Sequence, residues 1–209
     1  MLGGSPLRSP QQRVEESEPV PAERVRCRTG MQKHKMIFTC SWSDFFVAEA
    51  DEWRTKAWEI IRETPQHTYQ ILTKRPERIP EHLPSGWPFS NVWLGVSVEN
   101  PRFYWRIERL KSVTVSVRFL SLEPLLSAMP SLPLAGISWV VVGGESGPGC
   151  RPMEAEWVRE IQSQCRAAGV AFFFKQWGGV KKNVTGRLLD VRTWDAMPGS
   201  LRLIHQPSA

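Results

Sequence analysis

The clearest pattern along the chain is a strand, a glycine-rich loop, a helix and a second strand within residues 137–174. Residues 139–142 form an apolar, β-branched run without charge, which is typical of a strand buried on both faces. The glycines and the proline of residues 143–149 end that strand. A helical stripe follows at Trp157, Val158, Ile161, Cys165 and Ala168, with Gly169 as its stop. With a further strand at 170–174, this pattern predicts a βαβ unit whose polar loop follows the carboxyl end of a strand.

The same alternation of strands and helices extends upstream to residue 36. Strands are predicted at residues 36–40, 68–72, 92–96 and 115–120. One predicted helix follows the first of these strands and carries Trp53, Ala57, Ile60 and Ile61 on its buried face. Another is capped by Asn100 and buries Phe103, Ile107 and Leu110. The spacing is that of βα units, so we predict an α/β protein with parallel strands arranged as a (β/α) barrel.

Polar and charged residues follow every predicted strand. The carboxyl ends of parallel strands meet at one rim, so we expect these side chains to share a cleft. A single such residue is more often a solvated loop position or a helix cap, but caps do not explain lysines and glutamates at so many strand ends. The predicted catalytic residues are Asp44, Glu99, Glu123, Glu145 and Lys175. The predicted ligand-binding residues are Ser43, Thr73, Lys74, Arg75, Ser97, Gly143, Gly144, Ser146, Arg151 and Gln176.

Two local expectations follow from this rim. Opposite charges at this density should pair, because an isolated buried ion is costly, and Lys175 is expected to contact Glu123 or Glu145. The glycine-rich loop at 143–149 has two interpretations, a tight turn that needs glycine torsions or a ligand-binding loop. Glu145 and Ser146 within it favour the second, because a plain turn does not need a carboxylate between glycines. The loop has neither the spacing of a P-loop nor that of a dinucleotide-binding loop.

Composition, charge and cysteine content predict the domain limits, the type of partner and the compartment. Residues 1–30 are rich in Pro, Ser, Arg and Glu, so we predict a disordered leader and a barrel-like domain over 31–209. A net charge of +6 permits an anionic partner, either a small molecule or nucleic acid. The four cysteines form no CxxC pair, so no metal site is predicted and free thiols in a reducing compartment are expected. Without a signal peptide or a membrane-length apolar run, the predicted location is the cytoplasm.

Several long segments resemble one protein family. The segments SWSDFF, TPQHTYQILTKRPER, NVWLGVSVEN, VRFLSLEPLL, WVVVGGESGPGCRPM, FFFKQWG and GRLLDVRTWDAMP are similar to the phage-associated three-cysteine-motif proteins, a family of unassigned function. The resemblance implies a barrel like that of the radical S-adenosylmethionine enzymes, with a three-cysteine loop after its first strand for an iron–sulfur cluster. Upstream of residue 36 the chain has only Cys27. We therefore expect a partial TIM-like barrel whose first strand is missing or replaced, without an iron–sulfur cluster.

The resemblance also implies one possible cofactor, S-adenosylmethionine. By analogy, Ser43 and Asp44 would bind its amino group, and the loops at 97–99 and 143–146 would line its ribose and methionine parts. No other cofactor is expected.

Three functional hypotheses remain open from the sequence. The first is an enzyme, or an enzyme remnant, that binds an anionic or nucleotide-like ligand at the rim. The second is a non-catalytic module that binds nucleic acid or a protein, which the net charge favours and the acidic residues at the same rim disfavour. The third is an inert fragment with an exposed sheet edge. A steep loss of DNA affinity with salt would favour the second hypothesis.

Overall fold

The centre of the structure is an open sheet of six parallel strands in sequential order. The structure is a computed structural model that describes residues 33–199, so the predicted leader at 1–30 lies outside the described residues. The strands are β1 (Met36–Phe38), β2 (Thr68–Thr73), β3 (Val92–Ser97), β4 (Val117–Leu122), β5 (Trp139–Gly143) and β6 (Ala171–Gln176). The α-helices are α1 (Asp51–Glu63), α2 (Tyr104–Lys111), α3 (Ala155–Ala167) and α4 (Lys182–Thr185).

The predicted α/β class and the parallel strands are confirmed, and the sheet curls into a half-barrel. All six predicted strands are present, but β2 to β6 each end one or two residues later than predicted, and β1 ends two residues earlier. Thr73, Ser97 and Gln176 therefore occupy the last positions of their strands and not the loops beyond them. The predicted strands ended with the last apolar residue, so polar residues at the true strand ends were assigned to loops.

The convex face of the sheet packs against the helices and forms the main core. Its strands contribute side chains such as Ile71, Leu94, Leu120, Val140 and Phe172. In α3, Val158, Ile161 and Cys165 are buried as the helical stripe predicts, whereas Trp157 is half-buried and Ala168 is exposed. Gly169 ends the helix with a φ of +66°. Asn100 caps a 3-10 turn, Pro101–Phe103, that leads into α2, because its side chain accepts a hydrogen bond from the backbone N–H of Arg102.

The predicted buried face of α1 is partly wrong. Trp53 and Ile60 are exposed at 41% and 37%, whereas Trp58, Ile61 and Arg54 face the core. Arg54 is buried because its guanidinium donates hydrogen bonds to the carbonyl groups of Phe45 and Val47 in the segment that precedes the helix. Because the buried face includes the charged Arg54, the apolar pattern predicted a stripe one position away from the true one.

The concave face of the sheet changes character along its strands. Successive inward side chains on β4 and its continuation are Phe119, Ser121 and Glu123, and β6 contributes Phe173 and then Lys175. The cross-strand register places Phe119 of β4 beside Trp139 of β5, closer to the amino end of the sheet than Ser121 and Glu123. The half-barrel therefore has an aromatic floor and a polar carboxyl rim.

The C-terminal part of the described chain covers the free edge of β6. The backbone N–H of Phe174 donates to the carbonyl of Trp194, and the N–H of Ala196 donates to the carbonyl of Phe172. The indole N–H of Trp139 also donates to the carbonyl of Ala196, at 2.9 Å, which anchors this segment beneath the concave face. Among residues 33–199, no helix has the length and apolar character required to cross a membrane.

Candidate functional site

A trough with two adjoining pockets occupies the concave face and its rim. The first, which we call the rim pocket, has a volume of about 580 Å³. It is lined by Phe38, Cys40, Ser41, Trp42, Ser43, Asp44, Val47, Leu72, Thr73, Lys74, Arg75 and Ser97. The second, the aromatic pocket, has a volume of about 440 Å³. It is lined by Phe38, Gln70, Leu72, Phe119, Ser121, Glu123, Trp139, Val141, Phe173 and Lys175. Both volumes lie in the range of small-molecule sites.

Asp44 organises the rim pocket. Its Oδ1 accepts hydrogen bonds from the backbone N–H of Phe46, at 2.9 Å, and from the hydroxyl of Thr73, at 2.7 Å. Its Oδ2 accepts from the backbone N–H of Lys74, at 2.8 Å, and from the guanidinium of Arg75, at 3.0 Å. A carboxylate offers about four acceptor sites, so these contacts occupy all of them. Asp44 ties the loop after β1 to the end of β2.

Glu99 lies two residues beyond the end of β3, between two cations. Its Oε1 is 2.6 Å from the ammonium of Lys74, and its Oε2 is 3.0 Å from the guanidinium of Arg106 on α2. Burial raises the pKa of Glu99, but the hydrogen bond from Lys74, a backbone hydrogen bond and the charges of both cations outweigh it and lower the pKa below its usual value. Glu99 is therefore ionised at neutral pH and is a weak base.

Glu123 and Lys175 form an ion pair at the upper end of the aromatic pocket. The ammonium of Lys175 is 2.9 Å from Oε2 of Glu123, which confirms one of the two expected contacts. The side-chain amide of Gln176 donates to Oε1 of Glu123, at 3.3 Å, and to the hydroxyl of Ser146, at 3.0 Å. Half of the Lys175 side chain is exposed. This pair is the part of the rim that faces the pocket directly.

Glu145 points to a different partner. It accepts two hydrogen bonds from the guanidinium of Arg151, at 2.8 and 2.9 Å, and one from the backbone N–H of the same residue. These bonds lower the pKa of Glu145 to about 2, so its carboxylate is a very weak base. Glu145 and Arg151 line neither pocket. The pair closes the glycine-rich loop on itself.

The glycines of that loop have packing roles. A Cβ on Gly144 would lie 1.9 Å from the carbonyl oxygen of Trp177, and one on Gly143 would lie 3.1 Å from the Glu123 carboxylate. The loop runs beside residues 177–179, with backbone hydrogen bonds from Gly147 to Gly179 and from Gly179 to Glu145. These contacts favour the structural interpretation of the loop over the ligand-binding one, because close backbone approach requires glycine.

The structure brings together most of the predicted site. Asp44, Lys74, Glu123 and Lys175 line one trough, and Glu99 joins it through Lys74. The sequence did not predict the aromatic floor. The strands were expected to be buried on both faces, so their side chains were not divided into a core-facing set and a set on the concave face. A period of two along β4 is the signal that would have found it, since Phe119, Ser121 and Glu123 share one face.

Comparison with known families gives one match. A family described as protein of unknown function (DUF5131) matches residues 7–198 of the 209-residue chain. The chain belongs to this family. The DUF5131 match includes the whole trough and much of the region that precedes residue 33. Neither curated proteins nor solved structures give a significant match.

The resemblance assigns the amino group of S-adenosylmethionine to Ser43 and Asp44. The amino group of that cofactor would need a free acceptor on Asp44, and both oxygens already accept two hydrogen bonds each. Cys40, Cys150 and Cys165 are free thiols in the structure, and Cys27 lies outside the described residues. Between residues 33 and 199, no three Cys, His, Asp or Glu side chains cluster as metal ligands.

Proposed function

We propose that this DUF5131 protein binds an anionic, nucleotide-like ligand in the trough, as an enzyme or an enzyme remnant. The observation that carries the proposal is the change along β4 and β6 from an aromatic floor to a charged rim, with a pocket at each level. Sites in α/β folds with parallel strands lie at the carboxyl ends of those strands, where this rim is.

The charge of the rim is complementary to an anion. Four cations, Lys74, Arg75, Arg106 and Lys175, join three carboxylates, Asp44, Glu99 and Glu123, which leaves one net positive charge. Lys74, Arg75 and Lys175 are each about half exposed. A lysine has three N–H donors and an arginine five, so one carboxylate partner leaves donors for a phosphate or carboxylate ligand.

The predicted catalytic residues divide into two groups. Asp44, Glu99 and Glu145 serve in saturated or strongly paired contacts, and the lowered pKa values of the two glutamates make them poor bases. Glu123 and Lys175 line the aromatic pocket and can exchange partners with a ligand. If the protein is an enzyme, we assign proton transfer to this second pair.

The wider relationships belong to the same proposal. The resemblance supports a relation to phage three-cysteine-motif proteins and to radical S-adenosylmethionine barrels, and the composition supports a cytoplasmic location. Binding of S-adenosylmethionine would have to leave Asp44 in its present contacts. Direct titration of S-adenosylmethionine tests this, and saturable binding that survives Asp44→Asn would support it.

A second candidate function, nucleic-acid binding, is favoured by one observation. Trp42 is fully exposed at the mouth of the rim pocket, beside Lys74 and Arg75. An exposed indole next to cations suits a stacked base with a neighbouring phosphate. Binding of single-stranded DNA that is lost in Trp42→Ala and falls steeply with salt would establish this function instead.

The decisive experiment compares two arginines. Arg75 and Arg159 are each about half exposed and paired with an aspartate, but only Arg75 lines the trough. We expect Arg75→Met to weaken binding of nucleoside diphosphates by about 10-fold or more in calorimetric titrations, because a charged hydrogen bond is lost. Arg159→Met should leave the affinity unchanged. Equal affinities for both variants would contradict the proposal.

A further inference from the structure

The aromatic pocket has walls suited to a flat ring. Trp139 makes edge-to-face contact with Phe173, with ring centroids 5.9 Å apart, and a tilted contact with Phe119 at 5.8 Å. Aromatic rings in such arrangements present both faces and edges to a further ring that packs against them. Phe38 and Leu72 complete the wall that this pocket shares with the rim pocket.

The floor of this pocket is built into the sheet. Gly95 lies in the middle of β3, and a Cβ there would be 2.4 Å from the ring of Phe119. The absence of that Cβ lets the Phe119 ring lie flat across the neighbouring strand. A glycine in a strand interior costs stability and often marks a close approach of another group. The segment around Ala196 closes the pocket from below through its contact with Trp139.

Polar side chains also line this aromatic pocket. Gln70, Ser121, Glu123 and Lys175 are its polar lining residues, and together they offer both donors and acceptors. A purely aliphatic ligand would use none of these donors and acceptors. A ring with nitrogen and oxygen atoms on its edge satisfies both the apolar walls and the polar groups.

We infer that the aromatic pocket takes a planar heteroaromatic ring, carried by the same ligand whose anionic group lies against Lys74 and Arg75 in the rim pocket. This inference rests on the proposed function and adds the ring and its position to it. The two pockets adjoin at Phe38 and Leu72, so one ligand spans them. The ligand class is a nucleotide-like molecule with its base in the floor and its phosphate at the rim.

The test separates the ring from the anion. Inorganic pyrophosphate probes the rim pocket alone, and the four common ribonucleoside diphosphates probe both pockets. Calorimetric titration of the full chain should show at least one diphosphate binding about 10-fold or more tightly than pyrophosphate. Phe38→Ala should remove this advantage, with a loss of about 5- to 100-fold for the nucleotide, as for stacked bases elsewhere, and no change for pyrophosphate.

Met36→Ala is the matched control, because Met36 lies two residues before Phe38 on the same edge strand and is exposed to a similar extent, but lines neither pocket. It should leave both affinities unchanged. A second variant, Val141→Phe, fills the aromatic pocket and should block the nucleotide while pyrophosphate still binds. Thermal unfolding of each variant shows whether the fold is retained.

The outcomes separate the ring in the aromatic pocket from the anion in the rim pocket. The ring inference is wrong, and the anion site stands, if pyrophosphate binds and no nucleoside diphosphate binds more tightly than it. The same holds if Phe38→Ala leaves the affinity for the nucleotide unchanged. If neither pyrophosphate nor any diphosphate binds, the proposed function itself is wrong.

Discussion

Two neighbouring strands end in the same three-residue pattern and use it differently. Ser97-Val98-Glu99 closes β3 and Ser121-Leu122-Glu123 closes β4, with Ser97 and Ser121 side by side in the sheet. The Glu99 side chain is only 8% exposed and lies between Lys74 and Arg106. The Glu123 side chain is 22% exposed and pairs with the half-exposed Lys175 at the mouth of the aromatic pocket.

The difference originates in the segment that leads away from each strand. After Glu99 the chain enters α2, which places Arg106 beneath the carboxylate. After Glu123 the described chain contains no α-helix before β5, so its carboxylate keeps only partners from β6. The same motif therefore serves as a buried structural anchor in one strand and as an accessible polar group in the next. A pattern at a strand end does not by itself separate the two roles.

The largest expected effect is on stability, and it separates the two glutamates. Glu99→Gln leaves Arg106 largely buried without a carboxylate, so we expect a loss of about 3–5 kcal/mol in the free energy of unfolding. Glu123→Gln breaks an ion pair with solvent access and should cost about 1 kcal/mol or less. Urea unfolding followed by tryptophan fluorescence measures both. Similar losses for the two variants would remove the distinction between anchor and site.

The next largest effect is on ligand binding, and we expect it at the Glu123–Lys175 pair and not at Glu99. Lys175→Met should weaken binding of a nucleoside diphosphate by about 10-fold, because Lys175 borders the pocket and offers a charged donor. Lys56→Met is the matched control, since Lys56 also pairs with a glutamate, Glu59, but lies on α1 and lines neither pocket. Calorimetric titration measures both affinities. A loss in the control as large as in Lys175→Met would show a nonspecific charge effect.

The pH dependence of stability gives a third test of the Glu99 anchor. Its folded pKa is below the usual value, so its ionised form stabilises the fold above the unfolded pKa of about 4.3, and this contribution is lost as the pH falls through the folded pKa. The difference in stability between wild type and Glu99→Gln should therefore shrink as the pH is lowered from 7 to 3.

Urea midpoints at several pH values measure this difference. Glu108→Gln, in an exposed pair with Lys111 on α2, is the control and should differ little from wild type throughout. A gap between wild type and Glu99→Gln that widens toward acid would mean that the ionised carboxylate does not stabilise the fold.

Much of the architecture followed from the sequence, because buried parallel strands and their helices have distinct apolar periods. The rim also followed, since strand direction places Asp44, Lys74 and Lys175 at one edge of the sheet. The partner of each charge did not follow. Arg106 lies on a helix that sequence analysis assigned only a buried apolar stripe, and its contact with Glu99 depends on how α2 packs. The aromatic floor depends likewise on the curl of the sheet, which brings distant rings together.

The smallest expected effect tests how closely Glu123 is held. A Cβ on Gly143 would lie 3.1 Å from the Glu123 carboxylate, and a side chain can yield by the few tenths of an ångström required. Gly143→Ala should therefore leave the unfolding midpoint nearly unchanged and alter nucleotide affinity by a few-fold, because it shifts the group that faces the ligand. Gly144→Ala is the contrasting variant, since its Cβ would meet the backbone of Trp177, which cannot yield as a side chain does. It should cost about 1–3 kcal/mol of stability. If Gly143→Ala destabilised the protein as much as Gly144→Ala, Glu123 would be as rigidly anchored as Glu99, and the accessible half of the rim would have to be placed elsewhere.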